Sequence, residues 1–255
     1  MTAGRSDQDI VRVAQAELWV DGVAGGGDVV AVRLGHGEHP EAVLSAHGWD
    51  AIRSISVVGQ RDPHILRLVY DVRASTGTKP VPGVTRRDPD LVIAPGETAV
   101  PYQRVAAYAV VRSARGLLLN QFSHATNAPG EWGLCGGGID PGELPDEAVL
   151  REVWEESGQE VVLTGLRTIS SSHWIGRAPS GRLEDFQAVR IIFDATCADP
   201  TDPVVHDVGG TTERSAWVTH DDLPGVALTE TWRSLLLGDG GRVNAPDGPP
   251  ARRPR

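Results

Sequence analysis

Residues 136–159 read GGGIDPGELPDEAVLREVWEESGQ, and the second half of that run sets narrow limits on the fold. Pro145, Asp146 and Glu147 suit a first helical turn, where proline has no donor to lose and acidic side chains meet the positive end of the dipole. Gly158 is a natural C-terminal stop. The spacing therefore predicts a helix from Pro145 to Gly158. At about 100° per residue, Leu150, Val153 and Trp154 are expected on its packing face, with Glu152, Glu155 and Glu156 roughly opposite. Carboxylates in a last turn oppose the negative end of the dipole and one another, at about 0.3–1 kcal/mol each. Arg151 relieves part of this, but one guanidinium does not neutralise three glutamates together with Glu143. A divalent cation does, and Mg2+ takes oxygen ligands in an octahedron, commonly one or two protein carboxylates completed by water and substrate phosphates. An isolated Glu-Glu pair is ordinarily a solvated helix face. Here Gly136, Gly137 and Gly138 stand at a fixed distance upstream, read as a glycine loop that lets backbone approach a phosphate or offer a carbonyl to a metal. Pro141 and Gly142 are expected to turn the chain so that Glu143 points back.

The remaining sequence divides around a proline-rich stretch. Residues 1–75 alternate in strand fashion in AELWV, DVVAVRL, SISVVG and HILRLVYDV, with PEAVLSAHGW as a short helix, and form a small α+β module. Residues 76–103 carry Pro80, Pro82, Pro89, Pro95 and Pro101, which argue against a continuous helix or central strand and mark a connection. Residues 104–238 open with two apolar runs around SARG, a hairpin, and continue through RTISSSHW, DFQAVRIIFDA and SAWVT as strands to a helical LTETWRSLLL. The Gly-, Pro- and Arg-rich residues 239–255 are expected to be a disordered, solvated tail.

A chain of 255 residues with 40% hydrophobic content buries at least one substantial core. Its net charge of -10 argues against a nucleic-acid or anionic-membrane surface, both of which need a dense positive footprint. Two cysteines, Cys135 and Cys197, make no disulfide framework. The opening residues lack the apolar core of a signal peptide, and no apolar run is long enough for a membrane span. A cytoplasmic protein is expected. His36, His39 and His47 match no standard zinc spacing, and the loop GHGEHP explains two of them as polar surface.

From Gly137 the chain runs five residues to Glu143 and seven more to Arg151, Glu152, Val153, Trp154, Glu155, Glu156, Ser157 and Gly158. This resembles the Nudix box, G-x5-E-x7-R-E-U-x-E-E-x-G-U with U apolar, in every position but the last, where Gln159 stands. The likeness extends loosely from about Val105 to Leu237, with Cys135 where the family usually has proline, and leaves residues 1–95 uncovered. It implies a mixed sheet sandwiched between helices. It also implies hydrolysis of the diphosphate in a nucleoside diphosphate joined to another group, using Mg2+ or Mn2+. Carried over by position, Gly137 would offer a carbonyl and Glu152, Glu155 and Glu156 carboxylates to metal, Arg151 would orient the cluster through Glu143, and Gly136, Gly137 and Gly138 would line the substrate.

The general base stays open: Glu152 within the box, or Glu184, Asp185 or Glu213 on later loops, with Glu184 taken as the loop candidate. Trp132, Trp174 and Phe186 are expected to pack the core, with stacking on a planar substrate group as the alternative. Relatives acting on ADP-ribose carry a proline about sixteen residues after the box, where this chain has Trp174 and Ile175, which disfavours that substrate. Residues 1–95 are expected to shape substrate choice or to build a homodimer. A family isomerase acting on a prenyl diphosphate would need a reactive cysteine in a motif that LCGGG does not resemble. The reading from a different class is a sensor that binds a nucleotide without turnover; such relatives often lose box carboxylates, and this chain keeps them.

Overall fold

The structure, a computed structural model, describes residues 16–77, 85–178 and 181–238. Pro80, Pro82, the opening residues and the expected tail at 239–255 lie outside the described residues. The first sheet contains β1 (Glu17–Ala24), β2 (Gly27–Arg33), β3 (Trp49–Gln60) and β4 (Ile65–Ala74) in the order β2-β1-β4-β3. Its central pair, β1 and β4, is parallel, and α1 (Pro40–Ala46) crosses between β2 and β3. The four expected strand runs and the short helix each fall on one of these elements.

The second sheet is built from β5 (Thr85–Arg87), β6 (Val100–Ser113), β7 (Gly116–Phe122), β10 (Val162–Arg177), β11 (Leu183–Thr196) and β12 (Thr212–Val218), ordered β12-β7-β6-β11-β10-β5. Two short strands, β8 (Trp132–Gly133) and β9 (Cys135–Gly138), pair with β7 and β6. The hairpin around SARG closes with Ser113 opposite Gly116. The stretch at 76–103 is more than a connection: it supplies β5 at the sheet edge and the start of β6. Pro101 lies inside β6 opposite Asp185 of β11. It is tolerated because β9 and β7 cover the other side of β6 only from Ala106 onward, so the missing N–H breaks no ladder bond there.

Alternation along β6 sorts residues onto two faces. Val105, Ala107, Ala109 and Val111 join Leu118, Val189 and Ile191 beneath α2 (Pro145–Ser157). The same apolar cluster continues through Val20, Leu44, Leu66 and Leu68, so the two sheets share one core. On the opposite face, Val110, Leu119 and Ile192 pack with Trp232 of α3 (Glu230–Leu237). Ala107 and Ala109 are fully buried, and their small side chains let α2 approach the sheet closely. Among the described residues, no helix is long and apolar enough to cross a membrane.

Polar contacts also tie the module to the loop before α2. His64 accepts the Gly142 N–H at Nδ1 (3.1 Å), which leaves Nε2 to donate to the Glu143 carbonyl (3.0 Å). Arg61 donates to the Gly142 carbonyl and to Glu147, and Gly59 lies against Leu144, the residue that starts α2. Because the core is continuous, Leu66→Ala should destabilise the whole chain by about 2–5 kcal/mol. Calorimetry and circular dichroism should report one unfolding transition for both proteins, and a separate early transition in the variant would mean that the module folds by itself.

Candidate active site

The glutamate helix lies against β9, with Arg151 at the junction. Its Nε and Nη2 hold the two oxygens of Glu143 at 2.8 and 2.9 Å. Nη1 donates to Glu152 Oε1 and Glu155 Oε2, both at 3.0 Å, and Nη2 also reaches the Gly138 carbonyl at 3.1 Å. The expected pairing with Glu143 and the i,i+4 contact with Glu155 are both present, because the planar fork carries five donors. These partners, Glu143 first, raise the Arg151 pKa, and the guanidinium holds Glu143 below the usual carboxylate range. Glu143 reaches the fork through the turn at Pro141-Gly142: its N–H donates to the Asp140 carbonyl and its carboxylate accepts the Asp140 N–H, each at 3.0 Å. The helix ends at Gly158 in the left-handed conformation (φ 67°), as its sequence demands.

The expected helix faces need correction. Leu150 is 39% and Trp154 49% exposed, and Trp154 stacks on His206 with centroids 4.4 Å apart. The packed stripe is Pro145, Ala148, Val149, Val153, Glu156 and Ser157. Residue type misled here, because a large apolar ring outside the stripe finds a partner at the surface while a glutamate falls within it. Glu156, only 5% exposed, points into the sheet. Its Oε1 accepts the Thr212 hydroxyl (2.6 Å), and its Oε2 accepts the Gly136 N–H (2.9 Å) and the Asn120 amide (2.5 Å). Asn120, fully buried, accepts in turn from the Cys135 thiol and the Ser215 hydroxyl. Burial pushes the Glu156 carboxyl up to about 7 against the pull of these donors. Burial likewise raises Glu152, although Arg151 opposes it.

The three glycines form a strand, not a loop, and they are not equivalent. A side chain on Gly136 would run into the Ala107 carbonyl and the Tyr108 Cα, at a φ of 144° that favours glycine. One on Gly137 would fill the space held by the Glu152 carboxylate, whereas one on Gly138 would meet nothing nearer than Arg104, at 3.8 Å. Arg104 projects from β6 beside this strand, near enough for its charge to oppose the rise in the Glu152 pKa. Gln159 is buried and donates to the Ser157 carbonyl and the Thr201 hydroxyl, so a polar residue in an apolar position is satisfied.

Glu184 is not brought to this cluster. It sits on β11 opposite Val100 and pairs with Arg182, whereas the glycine strand meets β6 at Ala106, six residues away or roughly 20 Å along the strand. Asp185 faces His36 and His173 instead. Glu213 is exposed at a bulge beside Thr212. Trp174 is buried against Phe186, as expected for core packing, and Trp132 is covered by the Arg214 guanidinium.

The model of the NUDIX domain matches residues 102–235. The chain belongs to the Nudix family. The nucleoside triphosphatase NudI of Escherichia coli is 33% identical over 110 residues, covering 42% of this chain and 75% of NudI. A MutT NUDIX hydrolase structure from Burkholderia pseudomallei is 27% identical, with a TM-score of 0.40, over 55% of this chain and 99% of that one. The MutT protein of Methanosarcina mazei Go1 is 23% identical with a TM-score of 0.41, covering 54% and 92%. The first sheet lies outside the Nudix match.

Nudix hydrolases generally use divalent metals, and the donors of this box fit a hard dication. Glu152 and Glu155 present carboxylate oxygens on one helix face, Gly137 leaves room for the first of them, and Glu156 Oε1 keeps an acceptor direction beyond its single bond to Thr212. Asn120, Thr212, Ser215 and Arg104 escaped the sequence reading, since they come from other strands and carry no spacing signal.

Two outcomes follow for the Nudix box. Gly136→Ala should lower stability by about 1–3 kcal/mol and Gly138→Ala should leave melting unchanged, while Gly137→Ala should fold yet displace Glu152, a contrast that thermal melts and a structure of the last variant will read. The folded-state pKa of Glu156, about 7, lies above the ordinary 4.5. The folded protein thus holds this proton more tightly than the unfolded chain, a contribution present below about pH 4.5 and lost as pH rises through about 7. In chelator, Glu156→Gln should melt above the parent at pH 8 by a margin that vanishes near pH 5, because an amide still accepts from Gly136 and Asn120 and donates to Thr212.

Proposed function

We propose that the chain is a pyrophosphohydrolase acting on a nucleoside diphosphate that carries a further substituent, a third phosphate included, by attack of water at phosphorus. The observation that carries the reading is the single guanidinium of Arg151 fixing Glu143, Glu152, Glu155 and the Gly138 carbonyl in one arrangement. A bound Mg2+ or Mn2+, held by Glu152, Glu155, the Gly137 carbonyl and the remaining acceptor of Glu156, would lower the pKa of water and neutralise charge on the anhydride oxygens.

The chain's own groups supply positioning and proton transfer. Glu152 is the proposed general base: its carboxylate stands on the helix face beside Gly137, and burial raises its pKa above the ordinary carboxylate value against the pull of Arg151. Arg151 keeps Glu152 and Glu155 from rotating apart, so their orientation is set before substrate arrives. Arg104, beside β9, is suited to a nonbridging phosphoryl oxygen. The bare backbone of Gly136, Gly137 and Gly138 lines the approach of the diphosphate. Residues 16–75 brace the turn that carries Glu143 through His64 and Arg61. Two buried free thiols are in keeping with a cytoplasmic setting.

NudI, a nucleoside triphosphatase by name, supports including nucleoside triphosphates with dinucleotides and nucleotide sugars in a substrate panel. Incubation with Mg2+ and mass identification of products should yield a nucleoside monophosphate and the phosphorylated remainder. Glu152→Gln should lower turnover by about 10²–10⁴-fold with folding retained, and Arg151→Lys, which keeps charge but loses the fork, by about 10–100-fold. Binding without turnover across the panel would instead identify a nucleotide sensor.

A further inference from the structure

A second polar cluster lies at the seam between the first sheet and the Nudix domain. Among the described residues, His36, His173 and Asp185 are the one group of three metal-ligating side chains whose donor atoms all fall within 4.8 Å of one another. His36 comes from the loop between β2 and α1, and His173 and Asp185 from neighbouring strands β10 and β11. Both histidines present Nε2 to the same oxygen, Asp185 Oδ1, His36 at 3.0 Å.

The surroundings hold this geometry. Gln187, fully buried, accepts the Gly37 N–H (2.8 Å) and donates to the Glu38 carbonyl (2.7 Å), docking the loop on the sheet from both sides of Gly37. Gly35 N–H donates to the Glu38 carboxylate at 2.6 Å, closing the loop on itself. Gly37 adopts φ +78° directly over the His173 ring, where a side chain would collide. On its other nitrogen, His173 Nδ1 meets the Thr85 hydroxyl at 2.8 Å, so the ring is oriented with Nε2 toward Asp185.

We propose that His36, His173 and Asp185 bind a divalent transition-metal ion of the zinc class, with water in a fourth position, and that this ion fastens the module to the Nudix domain. Two imidazoles and a carboxylate are donors that zinc takes in tetrahedral geometry, with bonds of about 2.0–2.2 Å and ligand separations of roughly 3.3 Å. His36 Nε2 and Asp185 Oδ1, at 3.0 Å, already stand close to that separation, and no two of the three donor atoms are more than 4.8 Å apart. Thr85 would accept the His173 Nδ1–H, the outer hydrogen bond that fixes a ligating imidazole. Magnesium prefers oxygen, so the site differs in chemistry from the box. It also differs in place: Asp185 pairs with Pro101, five residues or about 17 Å along β6 from Ala106, where the glycine strand attaches.

The full chain, stripped with chelator and returned to excess Mg2+, should be titrated with Zn2+ and separately with Co2+. One Zn2+ per chain should bind despite the Mg2+, raise the melting temperature, and be replaced by Co2+ with the intense visible bands of a four-coordinate ion. His36→Ala, on an exposed loop, and Asp185→Asn should each weaken binding at least about tenfold and remove the melting shift, while Glu155→Gln keeps both. No Mg2+-resistant equivalent, or one lost in Glu155→Gln and kept in His36→Ala, would overturn the proposal without touching the reading of the box.

Discussion

The Arg151 guanidinium is the interaction on which the rest of the site depends. A helix ending in Glu152, Glu155 and Glu156 sets like charges on the negative end of its own dipole. The fork answers two of these and adds Glu143 from outside the helix, each through charge-assisted hydrogen bonds in a half-buried setting. A lysine could not, since its point charge has no fixed pair of directions. The third glutamate is handled by a different physics: Glu156 is taken out of water, met by three donors from three strands, and left with its proton affinity raised. The acidic face is thus divided into an outer pair set by one cation and an inner carboxylate set by neutral donors.

The division explains why neighbouring parts look as they do. Gly136 has no side chain because β9 lies hard against β6, and Gly137 has none because Glu152 stands there. Ala107 and Ala109 are small because α2 packs over them, which brings Glu156 within reach of Asn120. The first sheet, outside the Nudix match, is drawn in through His64, whose two ring nitrogens bind the turn before Glu143 from both sides. The module thus bears on the site mechanically, through a core it shares with the large sheet.

Much of this was legible in the chain. Strand alternation, the SARG hairpin, Pro145 and Gly158 report local physics, and each local choice agrees with the fold. The spacing from Gly137 to Gly158 likewise carried the box. What escaped were relations between distant residues. Leu150 and Trp154 carry the hydrophobicity of a packing face, but the sheet lies against the neighbouring stripe of the helix. Glu184 reads from the sequence as a loop acid, yet strand register carries it far along β11 from the box. His36 matched no zinc spacing because its neighbours, His173 and Asp185, come from the other sheet. Pro101 seemed to forbid a central strand, and only the staggered coverage of β6 permits it.

A double-mutant cycle between Arg151 and Glu143, with stability measured by denaturant unfolding in the absence of metal, tests the central claim most directly. Hydrogen bonds to charged groups contribute about 1.5–3 kcal/mol when partly buried, against about 0–1 kcal/mol for a surface ion pair. The fork described here predicts a coupling energy in the first range. A coupling indistinguishable from zero would mean that Glu143 keeps its place without Arg151, and the account of the fork as the organiser of the site would be wrong.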